Sequence, residues 1–400
     1  MAHQLAVLLF AVAAVGIVLV AAQGLALRRH LAGAAPAGVQ RPPISILKPL
    51  CGVDDGLREN LALFAALEYP EYEVVLGVKS ASDPAWEVAR AAARRWPRRF
   101  KVVVQRGEPG LNPKVNQLLT LARAARHDVL VISDSNVRVQ PRYLAEIAAL
   151  LEDEGVGLVT HPVVGEGATR LGSLFDQLHL AGAIAPGVVA AKRFCGRDIV
   201  VGKSMAFRRR DLVAMGGFEA VKDVLAEDYV MGLLVPERLG KRVALAPSAV
   251  RNVSQRQGVS AFSARYRRWA VLQRQIVGPC AYAAQALLNP VLLAAAALAC
   301  DRTALAAAGF AGTCVAKSAL DGAAARALAP GGLATWQLAF VPLKDVLFGG
   351  AWAYGFVRRE VSWRGTRLLV GPGSRVLGAI PAEAPSGAHP HGESAPSLTA

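Results

Sequence analysis

Long apolar stretches lie near both ends of the chain, and a mixed region of short apolar runs lies between them. Residues 5–27 carry no charge, and a helix of about 20 such residues crosses a hydrocarbon core about 30 Å thick. Arg28 and Arg29 follow directly, whereas a cleaved leader has its basic residues before a shorter apolar run. The pattern therefore predicts an uncleaved anchor whose C-terminal end faces the cytoplasm by the positive-inside rule.

Four short apolar runs in the middle of the chain have the length and residue types of β-strands: 44–47, 74–78, 102–104 and 129–132. Helical patterns separate them, and this alternation predicts an α/β domain with a mostly parallel central sheet covered on both faces. Ligands of such sheets bind beyond the carboxyl ends of the strands. Polar residues that directly follow these runs are therefore candidates for function.

Apolar sequence returns in the last third of the chain. Residues 276–300 are a second long uncharged run, and residues 303–319 are a weaker candidate for a span. Residues 336–357 are also apolar, but they contain Lys344 and Asp345. Because charges are costly in lipid, this piece is expected to lie in the interface or to pack against protein.

Basic residues after the last apolar stretch indicate a cytoplasmic side again: Arg358, Arg359, Arg364 and Arg367. This orientation requires an even number of crossings after the α/β domain, which two spans and one interfacial helix provide. The final residues are rich in Pro, Gly, Ser and Ala and predict disorder. The predicted organisation is an anchor at 1–30, a linker at 31–43, the α/β domain at 44–275, a membrane-associated region at 276–370 and a disordered tail at 371–400.

Charge and cysteine content narrow the classes of partner. The 45 Lys and Arg exceed the 30 Asp and Glu, and the net charge of +15 suits an anionic partner such as phosphate, nucleic acid or an acidic leaflet. Aromatic residues make up 6% of the chain and do not interleave with a basic stretch, so no nucleic-acid partner is expected. The five cysteines form no CxxC pair, which argues against a zinc site or a disulfide framework and favours a reducing, cytosolic setting.

Two acidic positions are candidates for chemistry. Asp134 stands after the run 129–132, where a carboxylate can hold Mg²⁺ or Mn²⁺ against a diphosphate; a turn or a helix cap would also explain it. Asp228 could remove the proton of an acceptor hydroxyl as a general base. An acidic pair, Glu227 with Asp228, is equally well explained at a helix start, where the helix dipole favours negative charge.

Two basic motifs could contact phosphate. Arg265, Arg268 and Trp269 form one: guanidinium groups bind phosphate oxygens in a fork, although a basic amphipathic helix on anionic lipid has the same composition. Lys114 lies near a predicted helix N-terminus, where it could contact a donor phosphate. The preceding Asn112-Pro113 also fits a simple turn with Pro at the first helical position.

The ordered set resembles the ceramide glucosyltransferase family of GT-A type transferases, whose pattern is D, D, D, (Q/R)xxRW and which has related bacterial hopanoid glycosyltransferases. Residues 44–269 carry the matching blocks: 44–50 with 52–54, then 67–70, 112–116, 134–135, 227–229 and 265–269. The resemblance implies a GT-A fold with N- and C-terminal membrane helices and a cytoplasmic catalytic domain in a multi-pass protein, with a bacterial-type inner membrane expected. It also implies a UDP-sugar donor, a membrane lipid acceptor and a divalent cation, Mg²⁺ or Mn²⁺.

The resemblance assigns roles to single residues. Asp134 corresponds to the second aspartate, which binds diphosphate and metal, and Asp228 to the third, the base. The motif Arg265-x-x-Arg268-Trp269 is expected to hold the departing diphosphate and to border the acceptor, while Asn112 and Lys114 are assigned to the donor.

The first aspartate departs from the family pattern. Lys79 and Ser80 follow the run 74–78 where the family has acidic residues, and Asp83 is the carboxylate available nearby. Asp83 is therefore assigned to the donor, with Ser80 as the alternative.

These assignments favour inverting transfer of glucose from UDP-glucose to ceramide. A hopanoid polyol that receives N-acetylglucosamine is the close alternative. A processive polysaccharide synthase shares the motifs but usually has more membrane spans, and a basic, non-enzymatic membrane protein is the remaining class.

Overall fold

The computed structural model describes residues 1–33, 38–363 and 366–380. The strands are β1 (Ile44–Pro49), β2 (Tyr72–Val78), β3 (Phe100–Val104), β4 (Val129–Ser133), β5 (Val137–Arg138), β6 (Val156–Thr160), β7 (Val163–Glu166), β8 (Ser204–Arg208), β9 (Arg242–Leu245), β10 (Val250–Val253), β11 (Glu360–Trp363), β12 (Thr366–Val370) and β13 (Val376–Ile380).

The α-helices are α1 (Ala2–Leu31), α2 (Leu57–Ala65), α3 (Ala85–Arg95), α4 (Pro113–Ala124), α5 (Tyr143–Leu151), α6 (Leu171–His179), α7 (Ala185–Cys195), α8 (Arg209–Ala214), α9 (Glu227–Leu239), α10 (Val259–Val277), α11 (Pro279–Ala284), α12 (Pro290–Cys300), α13 (Ala304–Leu328) and α14 (Val341–Val357). A π-helical turn, Leu180–Ile184, joins α6 to α7.

A seven-stranded sheet with the order β3-β2-β1-β4-β8-β6-β9 forms the centre of the molecule. The first four strands are parallel, β8 runs antiparallel between β4 and β6, and β6 is parallel to β9. Every residue of β2 and of β4 is buried, as expected for parallel strands covered on both faces. The predicted α/β class and the four predicted strands are confirmed.

Side chains alternate between two cores along each strand, because successive strand residues point to opposite faces. Ile46 packs in a core with helices α2, α3 and α5. Its neighbour Leu47 packs in a second core with α4, α8 and α9. The sheet is therefore fixed from both sides, which holds the carboxyl ends of its parallel strands at one rigid edge.

The antiparallel strand β8 brings a second segment to this edge. Ser133, the last residue of β4, pairs with Ser204, the first residue of β8. Lys203, which directly precedes β8, consequently lies at the same end of the sheet as Asp134. This strand was not among the four predicted from the apolar runs.

Helices long and apolar enough to cross a membrane occur at two places in the described chain: α1, and the α6–α7 segment Leu171–Cys195, which is mostly buried within the protein. A third candidate exists if Pro279–Leu288 and Pro290–Cys300, which meet at an angle of 81°, form one broken span. The predicted run 276–300 is thus not one straight helix, because Pro290 starts a new helix after Asn289, whose side chain accepts the N–H of Leu292.

Helices α13 and α14 are joined by buried charges. Lys317 Nζ lies 2.6 Å from Asp321 Oδ1, and Lys344 Nζ lies 2.5 Å from Asp345 Oδ1. A cross-link of 3.3 Å connects Lys344 to Asp321. Helix α14 also packs on α10, so the apolar stretch predicted at 336–357 lies against protein and its charges are neutralised there.

The predicted disordered tail needs correction at its start. Strands β11, β12 and β13 form an antiparallel sheet, and β13 lies within the range 371–400 that was assigned to disorder. Val370 and Val376 are buried against Val271 of α10 and Leu225, a tertiary contact that composition does not reveal. Residues 381–400 lie outside the described part of the chain, as does Arg364.

Candidate active site

Asp134 stands at the carboxyl end of β4 between two lysines. Its Oδ1 lies 3.0 Å from Lys114 Nζ, and its Oδ2 lies 2.9 Å from Lys203 Nζ. Burial alone would raise the pKa of Asp134, but the two ammonium groups hold it well below its usual value. Asp134 is therefore a permanent anion at the edge where ligands of such sheets bind.

Lys114 connects Asp134 to the acidic pair at the start of α9. Its Nζ lies 2.9 Å from Glu227 Oε1 and donates a 3.3 Å hydrogen bond to the carbonyl of Gly202. Burial lowers the pKa of Lys114, but the charges of Asp134 and Glu227 outweigh it, so the pKa lies above its usual value. The predicted residues Asp134 and Lys114 are thus in direct contact.

Asp228 lies next to this lysine bridge, in the first turn of α9. Its Oδ2 accepts the N–H of Gly202 at 2.6 Å, and its Oδ1 accepts the N–H of Tyr229 at 2.8 Å. Burial and the neighbouring charge of Glu227 raise the pKa of Asp228 to about 6. A carboxylate with a pKa near the working pH is suited to proton transfer.

Asn112, which the resemblance assigns to the donor, makes its hydrogen bonds within the protein. The side chain is completely buried. Its Oδ1 accepts the N–H groups of Lys114 and Val115 and so caps α4. Its Nδ2 donates to the carbonyl of Val224 at 2.6 Å and to Glu227 Oε2 at 3.2 Å. Asn112 therefore positions the start of α4 and the acidic pair relative to each other.

Two lysines complete the surroundings of Asp134, and neither was assigned a role from the sequence. Lys48 is fully buried at the end of β1, where it donates to the carbonyl of Asp134 at 2.6 Å and to Ser133 Oγ at 3.2 Å. Burial lowers its pKa to about 7. Lys203 also donates to Asn136 Oδ1 at 2.9 Å. Lys48 directly follows a predicted strand run, a signal that could have identified it.

Asp83, the assigned first aspartate, holds a loop. Its Oδ1 accepts the N–H of Gly52 at 2.9 Å and the N–H of Ala85 at 2.8 Å. The Gly52 loop carries Asp54, which accepts a hydrogen bond from the hydroxyl of Ser135. In this structure Asp83 thus binds the backbone of the Gly52 loop, which lies beside Asp134. The alternative residue, Ser80, contacts Ser82 Oγ at 2.6 Å.

Helix α10 carries the arginine motif and is tied to α6 by Asp176, a residue that the sequence did not single out. Arg265 Nη1 lies 2.8 Å from Asp176 Oδ2, and the hydroxyl of Tyr266 donates to Asp176 Oδ1 at 2.8 Å. The ring of Trp269 packs 5.4 Å from that of Tyr266. No local pattern pairs Arg265 with Asp176, since 89 residues separate them.

Arg268 lies one helical turn beyond Arg265 and is only partly exposed. Among the residues that the structure describes, Arg268 has neither a carboxylate partner nor a hydrogen-bond acceptor. Burial and the nearby charge of Arg265 lower the pKa of Arg268 to about 10. Arg267, on another face of the helix, is exposed and lies over Tyr354. Arg268 is therefore the guanidinium of this motif that is available to an anionic ligand.

Asp134 is the carboxylate at this edge that is assigned to a divalent metal ion. Within residues 1–33, 38–363 and 366–380, no three His, Cys, Asp or Glu side chains cluster as a metal site. Mg²⁺ is often bound by one or two carboxylates together with substrate phosphates. Asp134 fits that arrangement as a single ligand, provided that Lys114 and Lys203 release its oxygens.

The fold has a solved counterpart. A mannosyltransferase from Pyrobaculum calidifontis, solved in complex with GDP-Man and Mn²⁺, aligns with a TM-score of 0.51 at 20% sequence identity. The alignment covers 88% of this chain and 99% of that chain. This likeness confirms the predicted GT-A fold.

Curated relatives match part of the chain. Ceramide glucosyltransferase 1 of Caenorhabditis elegans is 29% identical over 234 residues, which are 58% of this chain and 50% of that protein. A ceramide glucosyltransferase of Komagataella phaffii is 28% identical over 200 residues, which are 44% of this chain and 39% of that protein. The chain spans about half the length, or less, of these relatives.

The family comparison extends over nearly the whole sequence. The model of Glycosyl transferase family 21 matches residues 8–376, a range that includes most of α1, the carboxylate edge, the arginine motif and the first residue of β13. The chain belongs to glycosyl transferase family 21.

Proposed function

We propose that the chain transfers glucose from UDP-glucose to the hydroxyl of a ceramide-type lipid, with inversion at the anomeric carbon. Family membership and the likeness to ceramide glucosyltransferases support this assignment. The single observation that carries it is the chain of contacts from Asp134 through Lys114 to Glu227, with Asp228 beside it. These residues come from separate parts of the sequence and meet at the carboxyl edge of the sheet.

The charges at this edge suit a diphosphate. Lys114 and Lys203 lie within 3.0 Å of Asp134, and a diphosphate that enters beside them can take over their ammonium groups. Asp134 would then hold a divalent cation together with the diphosphate oxygens, and such a cation supplies Lewis-acid stabilisation of the leaving group. Arg268, as a guanidinium without an acidic partner, would balance the negative charge that develops on the departing UDP.

Asp228 supplies the base in this proposal. It takes the proton of the lipid hydroxyl while the oxygen attacks the anomeric carbon from the side opposite UDP. The new bond joins the lipid oxygen to the sugar, the bond from sugar to phosphate breaks, and UDP leaves with the electron pair. The raised pKa of Asp228, about 6, suits a base that acts near neutral pH.

The membrane arrangement brings the acceptor to this site. We place α1 across an inner membrane, with the α/β domain on the cytoplasmic side and the C-terminal helices in a multi-pass arrangement. The apolar length of α1 and the basic residues Arg28 and Arg29 in its last turn support that orientation. A lipid acceptor could then present its head group without leaving the bilayer.

The test uses the full-length protein in lipid vesicles that contain ceramide, with a panel of labelled UDP-sugars and extraction of the lipid products. We expect label from UDP-glucose in a glycosylceramide. Asp228→Asn should abolish this product, whereas Glu237→Gln, an exposed position on the same helix, should retain it. Vesicles with a hopanoid polyol form a second arm, and product only there would refute ceramide as acceptor. No labelled lipid in either arm would refute the transferase.

A further inference from the structure

The C-terminal segment 372–376 runs beside the loop that leads into α9. The N–H of Val376 donates to the carbonyl of Asp223 at 2.8 Å, and an antiparallel bridge pairs Val224 with Arg375. About 150 residues separate the two segments along the chain. The end of the described chain therefore folds back onto the part of the site that carries the acidic pair.

Ser374 makes the central contacts of this segment. Its carbonyl accepts the N–H of Leu225 at 3.0 Å, and its hydroxyl accepts the N–H of Ala226 at 2.9 Å. Ala226 is the N-cap residue of α9, and its methyl side chain cannot accept a hydrogen bond. Ser374 thus supplies, from outside the helix, an acceptor for the N–H of the N-cap residue, the group that a Glu or Gln at the third helical position accepts in a capping box.

The backbone of Ser374 is held in an uncommon conformation. Its φ is 57°, in the left-handed region that non-glycine residues seldom adopt, and the residue is completely buried. Such conformations persist where the surrounding contacts determine them, and they concentrate at functional sites. Here the conformation aims both the carbonyl and the hydroxyl at consecutive N–H groups, those of Leu225 and Ala226.

The loop before α9 is held from two sides. Asn112 bonds the carbonyl of Val224 and the carboxylate of Glu227 from the side of α4, and Ser374 bonds the next two N–H groups from the side of the C-terminal segment. Asp228 follows two residues after Ala226. The position of its carboxylate therefore depends on both contacts.

The same C-terminal sheet also touches the helix that carries Arg268. Val370 and Val376 pack with Val271 of α10 and with Leu225 in one buried cluster. Val271 lies three residues after Arg268 on α10. The sheet therefore connects α10, which carries Arg268, to the loop that precedes α9 and Asp228.

We propose that Ser374 is a positioning residue, which sets the carboxylate of Asp228 relative to Arg268 by holding the N-cap residue of α9 from the C-terminal segment. This inference rests on the proposed function, in which Asp228 is the base. It predicts that the hydroxyl of Ser374 governs turnover more than donor binding, because Ser374 bonds the segment directly before Asp228 and makes no hydrogen bond to Asp134 or Lys114.

The activity test compares Ser374→Ala and Ser374→Gly in the full-length protein. Alanine removes only the hydroxyl, and glycine removes the whole CH₂OH side chain but adopts a φ of 57° without strain and keeps the carbonyl bond to Leu225. We expect kcat to fall about tenfold or more in both variants with little change in KM for the donor, since small misplacements of a catalytic group cost large factors in rate. Ser362→Ala, an exposed position in β11, is the matched control. A Gly variant with the kcat of the parent would overturn the proposal.

Hydrogen exchange of the backbone amides provides a readout that does not depend on sugar transfer. Both variants should show faster exchange in residues 222–229 and unchanged exchange in β2. Unchanged exchange at 222–229 would overturn the positioning role, whether or not the parent is active. Faster exchange in a protein whose parent transfers no sugar would support the contact and count against the proposed function alone.

Discussion

Two carboxylates at one sheet edge have opposite electrostatic surroundings. Asp134 lies between two lysines, which keep its pKa far below the usual value. Asp228 is buried beside Glu227, and its pKa is raised to about 6. Two carboxylates whose pKa values are shifted in opposite directions are suited to different roles. Asp134 is suited to binding positive charge, and Asp228 is suited to proton exchange.

The pH dependence of transfer tests the role of Asp228. A carboxylate base is active when deprotonated, so kcat/KM should rise with pH through an apparent pKa near 6 and then level off. Glu227→Gln removes a charge that raises this pKa and frees Lys114 to stabilise the anion. Both effects lower the pKa of Asp228, so the rise of kcat/KM should occur at lower pH in this variant. If kcat/KM of Glu227→Gln rose at the same pH as that of the parent, the assignment of Asp228 as the base would be contradicted.

The guanidinium of Arg268 should act on the leaving group. Arg268→Ala is expected to lower kcat about 100-fold, the order of magnitude for loss of one preorganised donor to a developing negative charge. Arg267→Ala offers a matched control on the same helix, because Arg267 is exposed and points away. Steady-state kinetics with both variants measures the difference. Equal losses in the two would indicate a general effect of positive charge on membrane binding.

Metal removal tests the single-carboxylate site at Asp134. Chelation with EDTA should abolish transfer, and added Mg²⁺ or Mn²⁺ should restore it. Asp134→Asn should need much more metal for the same rate, because its amide is a weaker ligand than a carboxylate. Full activity after chelation would mean that Lys114 and Lys203 neutralise the diphosphate without a cation.

The site residues that the sequence revealed follow a strand run or begin a helix. Asp134 and Lys114 are of this kind, because a strand or helix end places its next residue at a known edge of the sheet. Lys203 and Asp176 were missed, since their roles depend on partners far away along the chain. The burial of Asn112 and its hydrogen bonds to the start of α4 are likewise properties of the folded chain.

At the scale of elements, the apolar runs predicted the parallel strands well. β1, β2 and β4 are almost completely buried, and continuous apolar sequence is the signature of such strands; β3, at the edge of the sheet, is only partly buried. β8 was not predicted because its sequence, Ser204–Arg208, is not a continuous apolar run, although it pairs antiparallel with β4 and β6. β13 was not predicted because its burial depends on tertiary contacts with α10 and Leu225.

The charges between α13 and α14 should stabilise the helix pair only as a set. Lys344→Met leaves Asp321 and Asp345 without one of their partners in a buried site, and loss of one member of a buried ion pair costs about 3–5 kcal/mol. We expect the free energy of unfolding in detergent to fall by this order. The double variant Lys344→Met, Asp345→Leu removes a pair and should recover part of the loss. Lys79→Met, at an exposed position, is the control.

At the scale of the whole molecule, the predicted anchor is also a structural part of the helical assembly. Helix α1 packs on α7, α12 and α13, and its residues Ala26 and Leu27 share a buried cluster with Val188 and Val189 of α7. The sequence predicted the apolar helix from its length, but hydropathy does not say which side of a helix faces protein. Small residues at positions of close approach are the typical device of packed membrane helices.

Two glycines of α1 allow its packing to be separated from its hydropathy. A Cβ at Gly16 would lie 2.4 Å from the carbonyl oxygen of Leu287 and 3.2 Å from Cβ of Pro290, whereas a Cβ at Gly24 would meet no atom of the described chain within 4 Å. Gly16→Leu and Gly24→Leu raise the hydropathy of the helix equally. Both variants should therefore remain in the membrane fraction after carbonate extraction.

Their folded states should differ. In Gly16→Leu the backbone carbonyl of Leu287 cannot yield as a flexible side chain would, so α1 must separate from the turn before α12. We expect a lower unfolding temperature in detergent and reduced transfer activity for Gly16→Leu, with Gly24→Leu close to the parent in both. If Gly16→Leu matched the parent in stability and activity, α1 would serve only to attach the protein to the membrane.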